Sequence, residues 1–151
     1  MSEGFPEAEY AARTARVQDG LARLGAAALL LTTEADIRYF TGFLTRFWES
    51  PSRSWFLVVP ASGKPVAVIP SIGEALMAST WIEDIRTWPA PRPADDGVSL
   101  LRDALQDMSG PIALPMGYET HLRMPLADFE RLRTGLETGL EPGLEIVADE
   151  G

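Results

Sequence analysis

The sequence predicts an α/β domain in which helices cover both faces of a mixed sheet of about six strands. Helical and strand-like segments alternate along the chain, an order typical of sheets whose strands are joined by helices. Residues 26–31 form an apolar run without alternation, which indicates a strand that is buried on both faces. Two further apolar runs, 55–59 and 65–69, flank a turn sequence at 61–64, so they predict an antiparallel hairpin within the sheet.

The first helix is predicted over residues 7–24 and ends at Gly25, the residue type that most often follows the last turn of a helix. Its apolar residues recur at helical spacing and share one face: Tyr10, Val17, Leu21 and Leu24. Its arginines fall on the other side, which is expected to face water: Arg13, Arg16 and Arg23.

Two shorter helices are expected in the first half of the chain. One covers residues 34–40, with Thr33 as its N-cap and Gly42 near its end. The other begins with Ser71 as its cap and extends through residue 78.

Two helices and three short strands are expected in the second half. One helix begins at Asp95 or Asp96 and has an apolar face of Val98, Leu101, Leu105 and Met108. The other has Pro125 in its first turn and an apolar face of Leu126, Phe129, Leu132 and Leu136. The strands are expected at 85–88, 112–114 and 144–147.

Length and composition restrict the classes of protein to which the chain can belong. Its 151 residues suit one domain, and the sequence has neither an internal boundary nor a repeat. The formal net charge of −9 opposes binding to nucleic acids and to anionic membranes. The chain has no cysteine, which excludes disulfides, thiolate zinc sites and cysteine nucleophiles.

Neither a membrane-spanning segment nor a secretory signal is visible. A spanning helix needs about 20 consecutive apolar residues, whereas the longest apolar stretch is 26–31. The N-terminus is acidic and lacks the positively charged and apolar regions of a signal peptide. These observations favour a cytoplasmic protein.

Few residues suggest catalysis by themselves. Glu119 and the single histidine, His121, could form a carboxylate–imidazole pair, but a polar connector before the helix at Pro125 is the simpler interpretation. No serine lies in a G-x-S-x-G nucleophile elbow. The glycines do not form a phosphate-binding motif, so a nucleotide cofactor is not expected.

Residues 44–53 differ from the rest of the chain because two arginines and two large aromatic residues lie in a stretch without periodicity. The four are Arg46, Phe47, Trp48 and Arg53. Arginine and aromatic side chains often anchor interfaces, which makes this loop a candidate binding surface. Alternatively, both aromatic residues fold back onto the core while both arginines face water. The residues themselves leave the two interpretations open.

The segment from Tyr39 to Phe43, Tyr-Phe-Thr-Gly-Phe, could bind a ligand through Tyr39. A structural role is favoured. Gly42 allows the backbone to leave the helix with a positive φ, and the aromatic residues on either side can close the edge of the sheet.

The block Tyr39-x-Thr41-Gly42-Phe43 comes just after the buried strand, and a variable loop that ends in Arg53 follows it. The hairpin sequence at 55–65 then reads Trp-Phe-Leu-Val-Val-Pro-x-x-Gly-x-Pro. In these motifs and in the order of its elements, nearly the whole chain resembles the N-terminal domain of the creatinase, prolidase and aminopeptidase P superfamily. The resemblance implies the ribonuclease H-like α/β fold of that domain. Asp36 stands where relatives often carry Asn, and no role is attached to it.

The resemblance implies that the chemistry belongs to another domain. In that superfamily two Asp, one His and two Glu of a C-terminal pita-bread domain hold two divalent ions, for which Mn, Co or Zn is expected. No segment of this chain matches those motifs, and the chain ends at Gly151, about where such a domain would begin. Residues 1–151 are therefore expected to be a single N-terminal-like domain without catalytic or metal-binding residues, whose partner is its own C-terminal catalytic domain.

The resemblance also favours a function for the loop at 44–53. In creatinase-like dimers this loop reaches towards the active site of the other subunit, and an arginine just before the hairpin contacts the substrate carboxylate. Arg53 is the matching position, whereas Arg46 does not align well. Phe47 and Trp48 are then expected to lie at the interface of a homodimer.

Two functions remain as hypotheses. In the first, the chain is the non-catalytic N-terminal domain of a metal-dependent hydrolase of Xaa-Pro peptides, creatine or related small amides, and it contributes to dimerisation and substrate access. In the second, it is a stand-alone peptide- or protein-binding module of the same fold without hydrolase activity. The coding sequence beyond codon 151 distinguishes the two.

Overall fold

A computed structural model describes residues 4–50, 53–138 and 146–148. The helices are α1 (Glu7–Leu24), α2 (Glu34–Thr41), α3 (Glu74–Ala78), α4 (Val98–Gln106) and α5 (Leu126–Thr138). The strands are β1 (Ala28–Leu31), β2 (Phe56–Pro60), β3 (Val66–Pro70), β4 (Asp84–Trp88), β5 (Ile112–Leu114) and β6 (Ile146–Ala148). Two short 3₁₀ helices cover Arg46–Glu49 and Ser71–Gly73.

The six strands form one mixed sheet in the order β4-β3-β2-β1-β5-β6. β2 pairs antiparallel with both β1 and β3, which confirms the predicted hairpin. β4 is parallel to β3, and β5 is parallel to both β1 and β6. The predicted fold class is therefore confirmed. Residues 144 and 145 of the last predicted strand lie outside the described residues.

The central strands are buried on both faces because alternate side chains enter two separate cores. On one face, α1, α2 and α3 cover a core that includes Leu29, Leu31, Leu57, Val59 and Ile69. On the other face, α4 and α5 cover a core that includes Leu30, Phe56, Val58, Val68 and Ile112. This arrangement explains why the apolar run of β1 shows no alternation.

Local signals set the ends of the first two helices as predicted. Gly25 ends α1 in the left-handed conformation, with φ 72°. The Thr33 hydroxyl accepts a hydrogen bond from the backbone N–H of Asp36 at 3.3 Å, which caps α2. Gly42 ends α2 with φ 78°.

Arg13 does not face water, and the expectation that it does is wrong. Its side chain is only 11% exposed. Its guanidinium lies 4.3 Å from the ring centroid of Tyr39 and 4.5 Å from that of Phe5, and it donates a hydrogen bond to the carbonyl oxygen of Tyr39 at 2.7 Å. The end of α2 therefore covers this side of α1, a contact that helical spacing alone does not reveal.

Two details of the later helices also differ from prediction. Ser71 lies in a 3₁₀ turn before α3 and its side chain does not cap the helix. Leu126 is 76% exposed, because the first turn of α5 extends beyond the core that Leu132 and Leu136 enter.

Strand β4, at one end of the sheet, carries charged residues. Arg86 forms ion pairs with Asp84 at 3.2 Å and with Asp107 at 3.3 Å. The hydrogen bond that Arg86 donates to Asp84 is the main cause that raises the pKa of Arg86 above its ordinary value. Among the helices of the described residues, none combines the length and the apolar composition needed to span a membrane.

Candidate functional site

A cleft lies where β1 and β5, two neighbouring parallel strands, end at the same edge of the sheet. The chain leaves β1 into α2 on one face, and it leaves β5 towards α5 on the other face. Ligands of open α/β sheets commonly bind in the crevice at such a switch point. The cleft measures about 430 Å³ and is lined by Thr33, Glu34, Ala35, Asp36, Trp48, Glu119, Thr120, His121 and Arg123.

The titratable residues of the cleft do not form a metal site. Within the described parts of the chain, no three His, Asp or Glu side chains are grouped so that they could hold a metal ion. Glu119 and His121 both line the cleft, yet no hydrogen bond between them is found there. Glu119 has a left-handed backbone conformation, with φ 63°. The residues present thus do not fit the dimetal centre that the resemblance implies for a catalytic domain.

Arg123 is the residue that organises this edge of the sheet. Its guanidinium donates to the carbonyl oxygens of Trp48 at 3.0 Å, of Ser50 at 2.7 Å and of Arg53. Its own backbone N–H donates to the hydroxyl of Thr32 at 2.7 Å. Through its backbone and its side chain, this one residue of the loop before α5 therefore contacts both the end of β1 and the loop before β2.

The surroundings of Arg123 are aromatic and partly desolvated. Its guanidinium carbon lies 5.0 Å from the ring centroid of Trp48. Burial lowers the pKa of Arg123 below its ordinary value, and the nearby charge of Glu34 opposes this effect. The guanidinium nevertheless remains charged at neutral pH, because the ordinary pKa of an arginine lies far above neutrality. Its hydrogen bonds to carbonyl groups are therefore charge-assisted.

The structure separates the two aromatic residues of the loop. Trp48 is 8% exposed and packs against Trp55, with 5.7 Å between the ring centroids. Phe47 is 38% exposed, and the guanidinium of Arg53 lies 5.2 Å from the centroid of its ring. Arg46 is exposed at the start of the 3₁₀ turn. Trp48 thus folds back onto the core, whereas Phe47 and Arg53 form a cation–π pair at the surface of the domain.

The block from Tyr39 to Phe43 makes contacts within the domain. The Tyr39 hydroxyl accepts a hydrogen bond from Arg16 at 3.2 Å. The Thr41 hydroxyl donates to the carbonyl of Ile37 at 2.6 Å and accepts from the backbone N–H of Phe43 at 2.9 Å. Phe43 is 1% exposed.

Gly42 has a conformational and a steric reason to be glycine. Its φ of 78° lies in the left-handed region, which disfavours residues with a side chain. A Cβ atom there would lie 2.5 Å from the hydroxyl oxygen of Tyr10. The close approach of this turn to α1 therefore depends on the absence of a side chain.

The structure brings together some of the residues that the sequence singled out, and it adds one. Trp48, Glu119 and His121 share the cleft, and Arg53 is tied to the same edge through its carbonyl oxygen. Tyr39 instead lies against α1. Sequence reasoning missed Arg123. The available signal was an arginine between two apolar residues, Leu122 and Met124, in the connector before α5.

The fold and this edge of the sheet define an α/β domain with a structured loop beside a cleft, and comparison with known proteins identifies its family. Residues 13–148 match the model of the creatinase/prolidase N-terminal domain. The chain belongs to this family, which confirms the resemblance drawn from its motifs. A search of the curated proteins found no match.

Solved structures of peptidases have the same fold. A dipeptidase PepE from Mycobacterium ulcerans is 28% identical, with a TM-score of 0.64, and the match covers 93% of this chain and 35% of that one. A proline dipeptidase from Streptococcus pneumoniae TIGR4 is 18% identical, with a TM-score of 0.67 and 90% of both chains covered. The N-terminal domain of the cytoplasmic peptidase PepQ from Mycobacterium tuberculosis H37Rv is 19% identical, with a TM-score of 0.65 and coverage of 91% and 92%. The chain thus spans about a third of the length of the Mycobacterium ulcerans dipeptidase.

Proposed function

We propose that residues 1–151 form the non-catalytic N-terminal domain of a longer, metal-dependent hydrolase that acts on Xaa-Pro peptides or related small amides such as creatine. The domain contributes to dimerisation and to substrate access. Membership of the creatinase/prolidase N-terminal family supports this proposal. So does the 35% share that the match covers of the Mycobacterium ulcerans dipeptidase, since a larger part of that chain lies outside it. The cytoplasmic peptidase among the similar structures supports a cytoplasmic location.

The observation that carries the proposal is the arrangement of the loop before β2. Trp48 and Arg123 hold its backbone against the sheet, while Phe47 and Arg53 remain at the surface. Such a loop can present side chains to another domain or subunit without losing its own conformation. Binding and catalytic residues often lie on loops that a rigid scaffold positions in this way.

Arg53 is the residue proposed to meet the substrate. A guanidinium binds a carboxylate with two parallel hydrogen bonds and keeps its charge at any working pH. The net charge of −9 makes a positive group on this surface selective, because anionic ligands are repelled elsewhere. A small peptide with a free carboxylate is therefore the substrate that suits it.

The catalytic metal ions are proposed to come from the C-terminal domain, as two divalent ions of Mn, Co or Zn. The test is the coding sequence downstream of codon 151. An open frame with the two Asp, one His and two Glu of a pita-bread domain supports the proposal. A stop codon, or a frame without these ligands, contradicts it and favours the stand-alone binding module.

Purified residues 1–151 are expected to fold cooperatively but to show no peptidase activity. Two apolar cores support independent folding, whereas no metal-ligand group is found among the described residues. The measurements are thermal unfolding and release of proline from a dipeptide with and without Mn²⁺ or Co²⁺. Proline release that the metal stimulates and that co-purifies with the chain would contradict the prediction.

The isolated chain is also expected to form a weak dimer. The exposed ring of Phe47 offers an apolar contact, but a stable interface buries at least about 1,000 Å², which a single small domain reaches with difficulty. Sedimentation equilibrium over a range of concentrations measures the association, and Phe47→Ser is expected to weaken it. A strict monomer at the highest concentration tested would rule out this contribution to dimerisation.

A further inference from the structure

We propose that Arg123 is a positioning residue that fixes the backbone of the loop before β2 at Trp48, Ser50 and Arg53, and through it the direction in which Arg53 and Phe47 project. This inference rests on the proposed function, in which Arg53 meets the substrate.

The first argument is the distribution of hydrogen bonds along the loop. One guanidinium binds the carbonyl oxygens of Trp48, Ser50 and Arg53. The backbone hydrogen bonds within the loop are 3.1 Å from the Ser50 N–H to the Phe47 carbonyl, and 3.4 Å both from the Trp48 N–H to the Thr45 carbonyl and from the Arg53 N–H to the Ser50 carbonyl. The contacts to Arg123 are shorter and charge-assisted, so they contribute more to the order of the loop.

The second argument is that Arg123 is itself fixed to the sheet. Its backbone N–H donates to the hydroxyl of Thr32, the residue directly after β1, and Thr32 is 2% exposed. Arg123 is thereby attached to β1, one of the two central strands. Through Arg123 the loop is held in a fixed position relative to the sheet, although about 70 residues of sequence separate the two.

The third argument is the chemical fit of arginine to this place. A planar guanidinium can lie against an aromatic ring and bind several acceptors at its edge at the same time. Both contacts are present, since the group lies 5.0 Å from the Trp48 centroid while it binds the Trp48 carbonyl. A lysine ammonium could replace some of the hydrogen bonds, but it lacks the planar group that contacts the ring and binds several carbonyl oxygens at once.

The consequence concerns Arg53 directly. Arg123 holds the carbonyl oxygen of Arg53, and the ring of Phe47 lies beside the Arg53 guanidinium at 5.2 Å. The backbone of Arg53 and the neighbour of its side chain thus both belong to the segment that Arg123 orders. Loss of Arg123 is expected to leave the charge of Arg53 in place but to remove its fixed direction.

The first test is hydrogen exchange of residues 1–151 carrying Arg123→Met. The amides of Ser50 and Arg53, which donate within the loop, are expected to exchange at least about 30-fold faster. The matched control is Arg131→Met, because Arg131 also donates to a backbone carbonyl, that of Ala94 at 2.9 Å, in another part of the domain. The control is expected to leave the amides of the loop unchanged.

Two outcomes of that test overturn the proposal. One is unchanged exchange at Ser50 and Arg53 in a folded Arg123→Met chain. The other is a uniform acceleration through all strands, which would mean that Arg123 stabilises the domain as a whole. If Arg123→Met does not fold, Arg123→Lys is measured in its place. Faster exchange of the Ser50 and Arg53 amides alone, by a smaller factor than expected for Arg123→Met, supports the proposal, and unchanged exchange contradicts it.

Kinetics of the protein that includes the catalytic domain separate this inference from the proposed function. Arg123→Met and Arg53→Ala are expected to raise KM for a substrate with a free carboxylate, with little change in kcat, and the double variant to be no worse than Arg53→Ala. Additive effects contradict positioning. If Arg53→Ala has no effect, the role of Arg53 in the proposed function fails, and the exchange experiment alone decides whether Arg123 orders the loop.

Discussion

Replacement of Trp55 by alanine is expected to lower the free energy of unfolding by about 3–5 kcal/mol, the range for removal of a large aromatic side chain from a packed core. Trp55 is fully buried. Its ring centroid lies 5.4 Å from that of Phe43 and 5.7 Å from that of Trp48. It also lies so close to Gly73 that a Cβ atom there would be 2.5 Å from the ring. The cavity left by the Trp55 ring is not expected to close, because the backbone at Gly73 forms one of its walls.

Urea unfolding measures this loss, and thermal unfolding should show a decrease in Tm of roughly 6–20 °C for a domain of this size. The control is Tyr118→Ala, since Tyr118 is 95% exposed and its replacement should change stability by less than about 0.5 kcal/mol. Trp55→Phe is expected to lower the free energy of unfolding clearly less than Trp55→Ala does. The indole N–H of Trp55 has no hydrogen-bond partner among the described residues. Phenylalanine therefore gives up no hydrogen bond to them and keeps part of the packing that alanine removes. Equal losses for both variants would show that this account of Trp55 is wrong.

Replacement of Arg53 by alanine, in the protein that includes the catalytic domain, is expected to raise KM strongly for substrates with a free carboxylate. Loss of a desolvated charge-assisted pair costs about 2–5 kcal/mol, which corresponds to roughly 30-fold or more in binding. A substrate with an amide in place of the carboxylate should bind the variant and the parent equally well. The contrast between the two substrates isolates the charge from any general damage to the site.

The measurement is steady-state kinetics on the matched pair of substrates. Arg23→Ala serves as the control, because Arg23 is exposed in the last turn of α1, at the opposite edge of the sheet from the loop. Unchanged kinetics on both substrates would mean that Arg53 is a solvated loop residue whose contact with Phe47 is its main interaction. An equal rise in KM for the carboxylate substrate and for its amide would indicate a change in the loop rather than the loss of a charge.

Much of the fold could be predicted because its signals are local. The end of α1 follows from apolar spacing and Gly25, and β1 lies within the unalternating apolar run 26–31. The environment of Arg13 could not be predicted, because it depends on Tyr39, which is distant in sequence and near in space. Spacing within a helix tells which residues share a face, but not which other element covers that face.

The candidate site was predictable in its residue types rather than in its geometry. The sequence indicates residues 44–53 as a candidate surface, because arginines and aromatic residues occur there without periodicity. Their division into a buried Trp48 and a surface pair of Phe47 and Arg53 depends on Trp55 and Arg123. The bonds from Arg123 to the loop join residues 70 to 75 positions apart, and a single sequence carries no local signal for such contacts.

The charged surface of β4 has a consequence for how the molecule behaves at high concentration. An end strand with unpaired backbone groups can recruit a strand from another chain and so begin aggregation. Here the ion pairs of Arg86 with Asp84 and Asp107 occupy that end of the sheet. An incoming strand would have to strip water from these charges, and a second molecule with a net charge of −9 would also be repelled. Growth of the sheet from molecule to molecule is therefore opposed at this end.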